Sequence, residues 1–170
     1  AAGAALAQGW LGWGALIGAT GFACDALDGM VARLSQTASD AGEVLDASVD
    51  RYVEFAWLGG LALHWRHDGA WLAAALLALI GSSMVTYAST KAEAMGCRIP
   101  RGAMRRVERA VYLTVGALLA AFSVWLTVDR GSPVLTAEWP LLVAVVLVGV
   151  VGNGSAVVRL RAVARAPRDR

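Results

Sequence analysis

Charge is scarce in this chain: only 16% of its 170 residues are Asp, Glu, Lys or Arg, against 58% hydrophobic residues and a mean hydropathy of +0.57. A soluble domain carries roughly 25% charged residues, so the shortage places the protein in a membrane. Cysteine is scarce as well. Cys24 and Cys97 form no CxxC pair, which leaves two reduced, structural thiols and no disulfide framework. The four prolines, Pro100, Pro133, Pro140 and Pro167, fall at or outside the ends of the apolar runs, where helices stop. No tandem repeat or low-complexity tract interrupts what reads as one helical domain over 1–170. There is no aromatic-interleaved basic run, so nucleic acid is excluded as a partner. Neither an initiating Met nor a secretory signal with a charged flank is present.

What is present is a series of apolar runs about 20 residues long, the length that crosses a bilayer. They predict helices near Trp10–Leu34, Gly42–Trp65, Gly69–Lys91, Val107–Val128 and Trp139–Leu160. The small apolar residues Ala1–Gln8 read as the tail of a further helix. The expected fold is therefore an all-α integral membrane bundle of six helices, about five of them in this chain. Of the 15 Lys and Arg, Arg33, a cluster in 91–109 (Lys91, Arg98, Arg101, Arg105, Arg106 and Arg109) and a tail set (Arg159, Arg161, Arg165, Arg168 and Arg170) share one side if the spans alternate. Arg66 and Arg130 lie opposite, and Arg51 is inside a span. The positive-inside rule makes the basic side cytoplasmic. His64 and His67, near Trp65 and Trp71, belong to an interfacial belt at the other face.

Against this apolar background stand Asp25, Asp28, Asp46 and Asp50. An isolated Asp in mid-helix costs about 2.5–3.5 kcal/mol on insertion scales, so four of them require compensation. Positions 25, 28, 29 and 32 share one helical stripe, as do 42, 46 and 50, so two helices can face each other across a carboxylate-lined, glycine-floored cleft near the basic side. Oxygen donors without His or Cys suit Mg²⁺ or Mn²⁺ and argue against zinc. Such a cluster meets the needs of phosphoryl transfer, and Gly29 and Ala32 clear bulk for a phosphorylated group. A cation or proton transporter would also set acids in membrane helices, but has no need for Gly29, Ala32 and Arg33 at fixed offsets.

The whole string, Asp25-x-x-Asp28-Gly29-x-x-Ala32-Arg33, residues 34–41, then Gly42-x-x-x-Asp46-x-x-x-Asp50, resembles the signature of the CDP-alcohol phosphotransferase family at every fixed position. The resemblance implies a six-helix membrane enzyme, commonly a homodimer, in the bacterial inner membrane with its active site at the cytoplasmic face. It would move a substituted phosphate from a CDP-linked donor to an alcohol and release CMP. Carried over by position, Asp25, Asp28, Asp46 and Asp50 would hold two Mg²⁺ or Mn²⁺ ions, with Asp50 also the general base. Asp28, Gly29, Ala32, Arg33 and Gly42 would bind the donor's cytidine and diphosphate.

The acceptor is expected from a second stretch. Tyr87-x-x-x-Lys91-Ala92-Glu93 and Arg106-x-Glu108-Arg109 resemble the phosphatidylinositol-phosphate synthase branch, which uses CDP-diacylglycerol and an inositol phosphate. That likeness implies that Arg106, Arg109 and Arg159 bind the acceptor's phosphate. Ser89 stands where the branch commonly has lysine, so glycerol phosphate or an unphosphorylated polyol remains an alternative acceptor.

Overall fold

A computed structural model describes residues 1–35, 39–97, 102–127 and 137–165. Within those ranges the surroundings of Ala26, Gly29, Ala32, Arg33, Asp40 and Glu43 lie outside the description. The described residues form six helices and no strand: α1 (Ala2–Ala7), α2 (Leu11–Leu34), α3 (Asp40–His64), α4 (Gly69–Ala94), α5 (Arg106–Thr127) and α6 (Trp139–Arg165). The five expected spans are thus all helical, and their ends shift by a few residues where capping chemistry decides. Ser39 accepts from the Gly42 amide at 3.2 Å and starts α3 two residues before the hydropathy rises. Asp68 accepts from the Ala70 and Trp71 amides, both at 3.0 Å, and starts α4. At α5 the Glu108 carboxylate reaches back to the Arg105 amide at 3.1 Å, closing the first turn.

Three helices, α4, α5 and α6, are long and apolar enough to cross a membrane. Helices α2 and α3 are of similar length, 24 and 25 residues, but carry the aspartates. Large apolar side chains point outward along the bundle, among them Ile80, Val115, Leu119, Phe122, Val143 and Val150, all more than one-third exposed. That inside-out distribution is the mark of an integral membrane bundle, because lipid replaces water at those positions.

Packing is by small residues. Helix α4 lies on α6, with Ala75, Ala78, Gly81, Ser82, Val85 and Ala88 facing Leu141, Val145, Val148, Gly149, Gly152 and Ala156. The approach is so close that a Cβ on Gly81 would sit 3.0 Å from the Gly149 carbonyl oxygen. Asn153 fastens the pair, donating to the carbonyls of Leu77 at 3.0 Å and Gly149 at 2.7 Å. Gly3 of α1 meets Ala56 and Gly60 of α3 backbone to backbone. The helix contacts close a ring in the order α1, α2, α5, α6, α4, α3 and back to α1. Helices α2 and α3 are neighbours in that ring only through α1, so a gap stays open between them.

The two ends of the bundle differ. At one end all the tryptophans except Trp57 gather, and Trp65 stacks edge-on against Trp71 at 5.0 Å, which meets Trp139 at 5.7 Å. The buried Glu138 accepts from Trp65 Nε1 at 2.8 Å and pairs with His64 at 2.9 Å, tying α3 to the start of α6. At the opposite end lie Lys91, Arg105, Arg106, Arg109, Arg159, Arg161 and Arg165. The expected charge asymmetry and aromatic belt are both there; Arg98, Arg101, Arg130, Arg168, Arg170, Pro100, Pro133 and Pro167 lie outside the described residues.

A candidate metal and phosphate site between helices α2, α3 and α5

The gap between α2 and α3 is a cavity of about 210 Å³. Its walls are apolar in depth, with Phe22, Val53, Trp57, Leu58 and Leu113, and its mouth carries Asp25, Asp50, Glu54, Arg106 and Arg109. Gly18 and Gly21 leave room on the α2 side. Asp25 comes from α2; Asp46 and Asp50 lie one turn apart on α3, so a single face delivers both. Carboxylate oxygens of Asp25, Asp46 and Asp50 lie within 4.8 Å of one another. Only oxygen donors meet there, and the described thiols, Cys24 and Cys97, are not part of the group. Such a donor set fits a hard divalent cation. Asp28, exposed and three residues beyond Asp25, is outside that triplet.

Arg106, the first residue of α5, reaches across the mouth. Its guanidinium donates to Asp25 Oδ2 at 2.7 Å and to Asp50 Oδ1, and lies 6.0 Å from the centre of the Phe22 ring. The expectation for Arg106 was contact with an acceptor; the structure sets it on the carboxylates.

Arg109 is also held by the protein itself. Its Nε and one terminal nitrogen donate to the two Glu54 oxygens at 2.8 and 3.3 Å, the other terminal nitrogen donates to the Met104 carbonyl at 2.8 Å, and Thr86 Oγ1 is 3.5 Å away. With its side chain only 4% exposed, Arg109 is a buried, fork-on-fork ion pair. Arg159 from α6 donates to Ser89 Oγ at 2.5 Å and to the Ala103 carbonyl at 3.3 Å, while its Nε is buried without a partner among the described residues. Ser89 therefore has a defined place, as the acceptor for Arg159.

These two arginines strap down the segment before α5. Ser155 Oγ adds a bond to the Ala103 carbonyl at 2.9 Å. Met104 is held at φ 63° with its side chain buried, a left-handed conformation that costs about 1–2 kcal/mol for a residue with a Cβ. A Cβ on Gly102 would come within 2.6 Å of Ser155 Oγ and 2.8 Å of Arg159 Nε, so a side chain there would push both of those side chains aside.

Glu54 is the residue that sequence reading passed over. It continues the stripe of Gly42, Asp46 and Asp50 by one turn, which was the available signal. Gly42 has a structural duty besides, as the amide that Ser39 caps. Gly29, Ala32 and Arg33 lie on the described path of α2, but their surroundings are outside the described residues.

Known proteins are similar to this chain in sequence and in fold. The phosphatidylinositol phosphate synthase of Mycolicibacterium smegmatis is 31% identical over 163 residues, an alignment covering 94% of this chain and 68% of that protein. The crystal structure of Mycobacterium tuberculosis phosphatidylinositol phosphate synthase with CDP-DAG bound superposes with a TM-score of 0.79 at 29% identity, over 98% of this chain and 80% of that one. The same enzyme in complex with manganese and citrate gives a TM-score of 0.80 at 29% identity, over 98% and 76%. The family description CDP-alcohol phosphatidyltransferase matches residues 2–151, taking in the aspartate cleft and all of its walls, and the chain belongs to that family.

Proposed function

We propose that the chain is a phosphatidyltransferase of phospholipid biosynthesis that moves the phosphatidyl group of CDP-diacylglycerol to a hydroxyl of an inositol phosphate and releases CMP. The observation that carries the reading is the convergence of Asp25, Asp46 and Asp50 at the mouth of an otherwise apolar cavity. A lipid-linked diphosphate has the matching character, charged at one end and apolar at the other. The kinship with a synthase crystallised with CDP-DAG supports the donor.

Asp25, Asp28, Asp46 and Asp50 would hold divalent metal, in our reading two ions, Mg²⁺ or Mn²⁺. When bound, the metal supplies neutralisation of the diphosphate and of the charge that develops on the leaving phosphate. The acceptor oxygen bonds to the phosphorus that carries diacylglycerol, the bond from that phosphorus to the CMP oxygen breaks, and the hydroxyl proton passes to a carboxylate. Asp50 is the proposed base. It lies on the cavity wall, where a hydroxyl can reach it. Gly29, Ala32, Arg33 and Gly42 bind the cytidine and diphosphate.

For the acceptor phosphate, Arg159 is the strongest donor, because its Nε is buried with no partner among the described residues. Arg106 assists, and Arg109, whose fork is filled by Glu54, acts by holding the strap that both flank. Ser89 in place of lysine keeps glycerol phosphate as the second reading. The enzyme works as a homodimer in the bacterial cell membrane, its basic end toward the cytoplasm; the cluster of Lys91, Arg105, Arg106, Arg159, Arg161 and Arg165 at that end supports the orientation.

The test is the full-length protein in detergent with CDP-diacylglycerol and separate acceptors, reading CMP release and the lipid product. Inositol phosphate should give a phosphatidylinositol phosphate with Mg²⁺ or Mn²⁺, and chelation should stop it. Product from glycerol phosphate alone would replace the acceptor, and no CMP release with any acceptor would overturn the reaction.

A further inference from the structure

The Arg106 guanidinium is bonded to Asp25 and Asp50, two of the three carboxylates that form the candidate metal site. A guanidinium lodged on those oxygens occupies lone pairs that a divalent ion would need as ligands. We infer that Arg106 is a tethered competitor of the divalent cation, a built-in counter-charge that weakens metal binding and must leave the carboxylates when the ion takes them. The inference rests on the metal-site reading above.

The surroundings distinguish Arg106 from its neighbours. Arg109, one turn further into α5, is 4% exposed at its side chain and bonded to Glu54, the Met104 carbonyl and Thr86. It has no freedom to move. Arg106 has a side chain 42% exposed, and its described partners are the two aspartates and the face of Phe22. It can therefore swing out along the mouth of the cavity by giving up those contacts alone. Once off the carboxylates it remains on the lining of the cavity, where the proposed function puts the phosphate groups of the substrates. Arg105 carries the same charge on the adjacent residue but turns to Glu108, at 3.1 Å, and so provides an internal control.

The competition is read without turnover. Free Mn²⁺ is titrated into the full-length protein in detergent micelles and followed by its electron paramagnetic resonance signal, with no lipid or acceptor present. Arg106→Gln should lower the Mn²⁺ Kd by roughly tenfold, the scale of one charge-assisted hydrogen bond. Arg106→Lys keeps a competing charge and should stay nearer the parent protein, and Arg105→Gln should change the Kd less than twofold. Circular dichroism and size exclusion confirm that each variant keeps the parent fold. A Kd for Arg106→Gln equal to or weaker than the parent's overturns the inference, as does an equal gain from Arg105→Gln, which would reduce the effect to net charge. The double variant Asp25→Asn with Asp50→Asn separates the two levels. If it loses Mn²⁺ while Arg106→Gln changes nothing, only the competition is wrong. If it binds Mn²⁺ as the parent does, the metal-site reading fails and the competition falls with it.

Discussion

The block of α4, α5 and α6 and the pair α2 and α3 are built on opposite terms. In the block, small residues let backbones touch, and Asn153 spans two helices. Lipid is as apolar as leucine, so close packing and interhelical hydrogen bonds have to do what the hydrophobic effect does in water. In the pair, the chain gives up packing. From Leu16 to Leu34 the described residues of α2 are exposed or half-buried, as are those of α3 between Ala41 and Ala56, and the space between them is the cavity. The lesson is a division of labour: one region supplies rigidity, and the other keeps charged groups accessible at a cost in burial. The two meet at the strap of Gly102–Arg105, where Arg109 and Arg159 connect the cavity mouth to the packed block.

If that division holds, a change in the pair should remove activity and leave the fold. Asp50→Asn keeps the size of the side chain but removes the proposed base, a loss of about 10²-fold or more in kcat. The thermal midpoint should stay within a few degrees of the parent, since Asp50 contributes no core contact. A variant that unfolds, or one that turns over at the parent's rate, would break the comparison from either side.

At the seam both properties should suffer. Arg109→Gln leaves Glu54 without its fork and the Met104 carbonyl without a donor, and breaking a buried pair of this kind costs about 3–5 kcal/mol. Glu54 is 20% exposed at its side chain, so the lower end of that range is expected. A double-mutant cycle with Glu54→Gln sharpens the point, because removing both charges should recover part of the loss. Additive losses in thermal or denaturant unfolding would show that the pair is not coupled.

How much of this was legible in the sequence follows the same division. Hydropathy set the five long helices to within a few residues, because burial in lipid demands continuous apolar runs. The 3.6-residue period placed Asp25, Asp46 and Asp50 on facing stripes, because two helices suffice to bring them together. Contacts between elements far apart in sequence were not legible. Nothing in the local pattern says that Glu54 fills the Arg109 fork, or that Ser89 accepts from Arg159. Arg106, Arg109 and Arg159 therefore read alike as basic residues at a membrane edge, and only the packing of α3, α4 and α6 around them gives each a different partner. Glu138 was missed for the same reason, its partners being His64 and Trp65 on another helix.

Within the packed block, Gly81→Ala should destabilise without touching the chemistry. The added methyl would lie 2.7 Å from Asn153 Nδ2 and 3.0 Å from the Gly149 carbonyl oxygen, so α4 and α6 must separate or Asn153 must give up its bonds. Overpacking of this kind costs about 1–3 kcal/mol. The acceptor and donor KM values should remain those of the parent. A shift in either would mean that the α4–α6 spacing is transmitted to Arg159, and that the block is less independent than its packing implies.

The smallest effect is expected at the tryptophan end, farthest from the aspartates. Trp65→Phe preserves most of the aromatic contact with Trp71 but removes the N–H that donates to Glu138 at 2.8 Å. Glu138 is 2% exposed and keeps His64 as its remaining partner, so the carboxylate is under-satisfied but not abandoned. One lost hydrogen bond to a charged group is worth about 1.5–3 kcal/mol, and the surviving His64 contact places the expected loss at the bottom of that range. Thermal unfolding of Trp65→Phe beside the parent measures it, while kcat and KM should be unchanged because no described contact leads from Glu138 to the cavity mouth. A fall in kcat without a fall in stability would show that the two ends of the bundle communicate, and the division between packed block and open pair would then have to be given up.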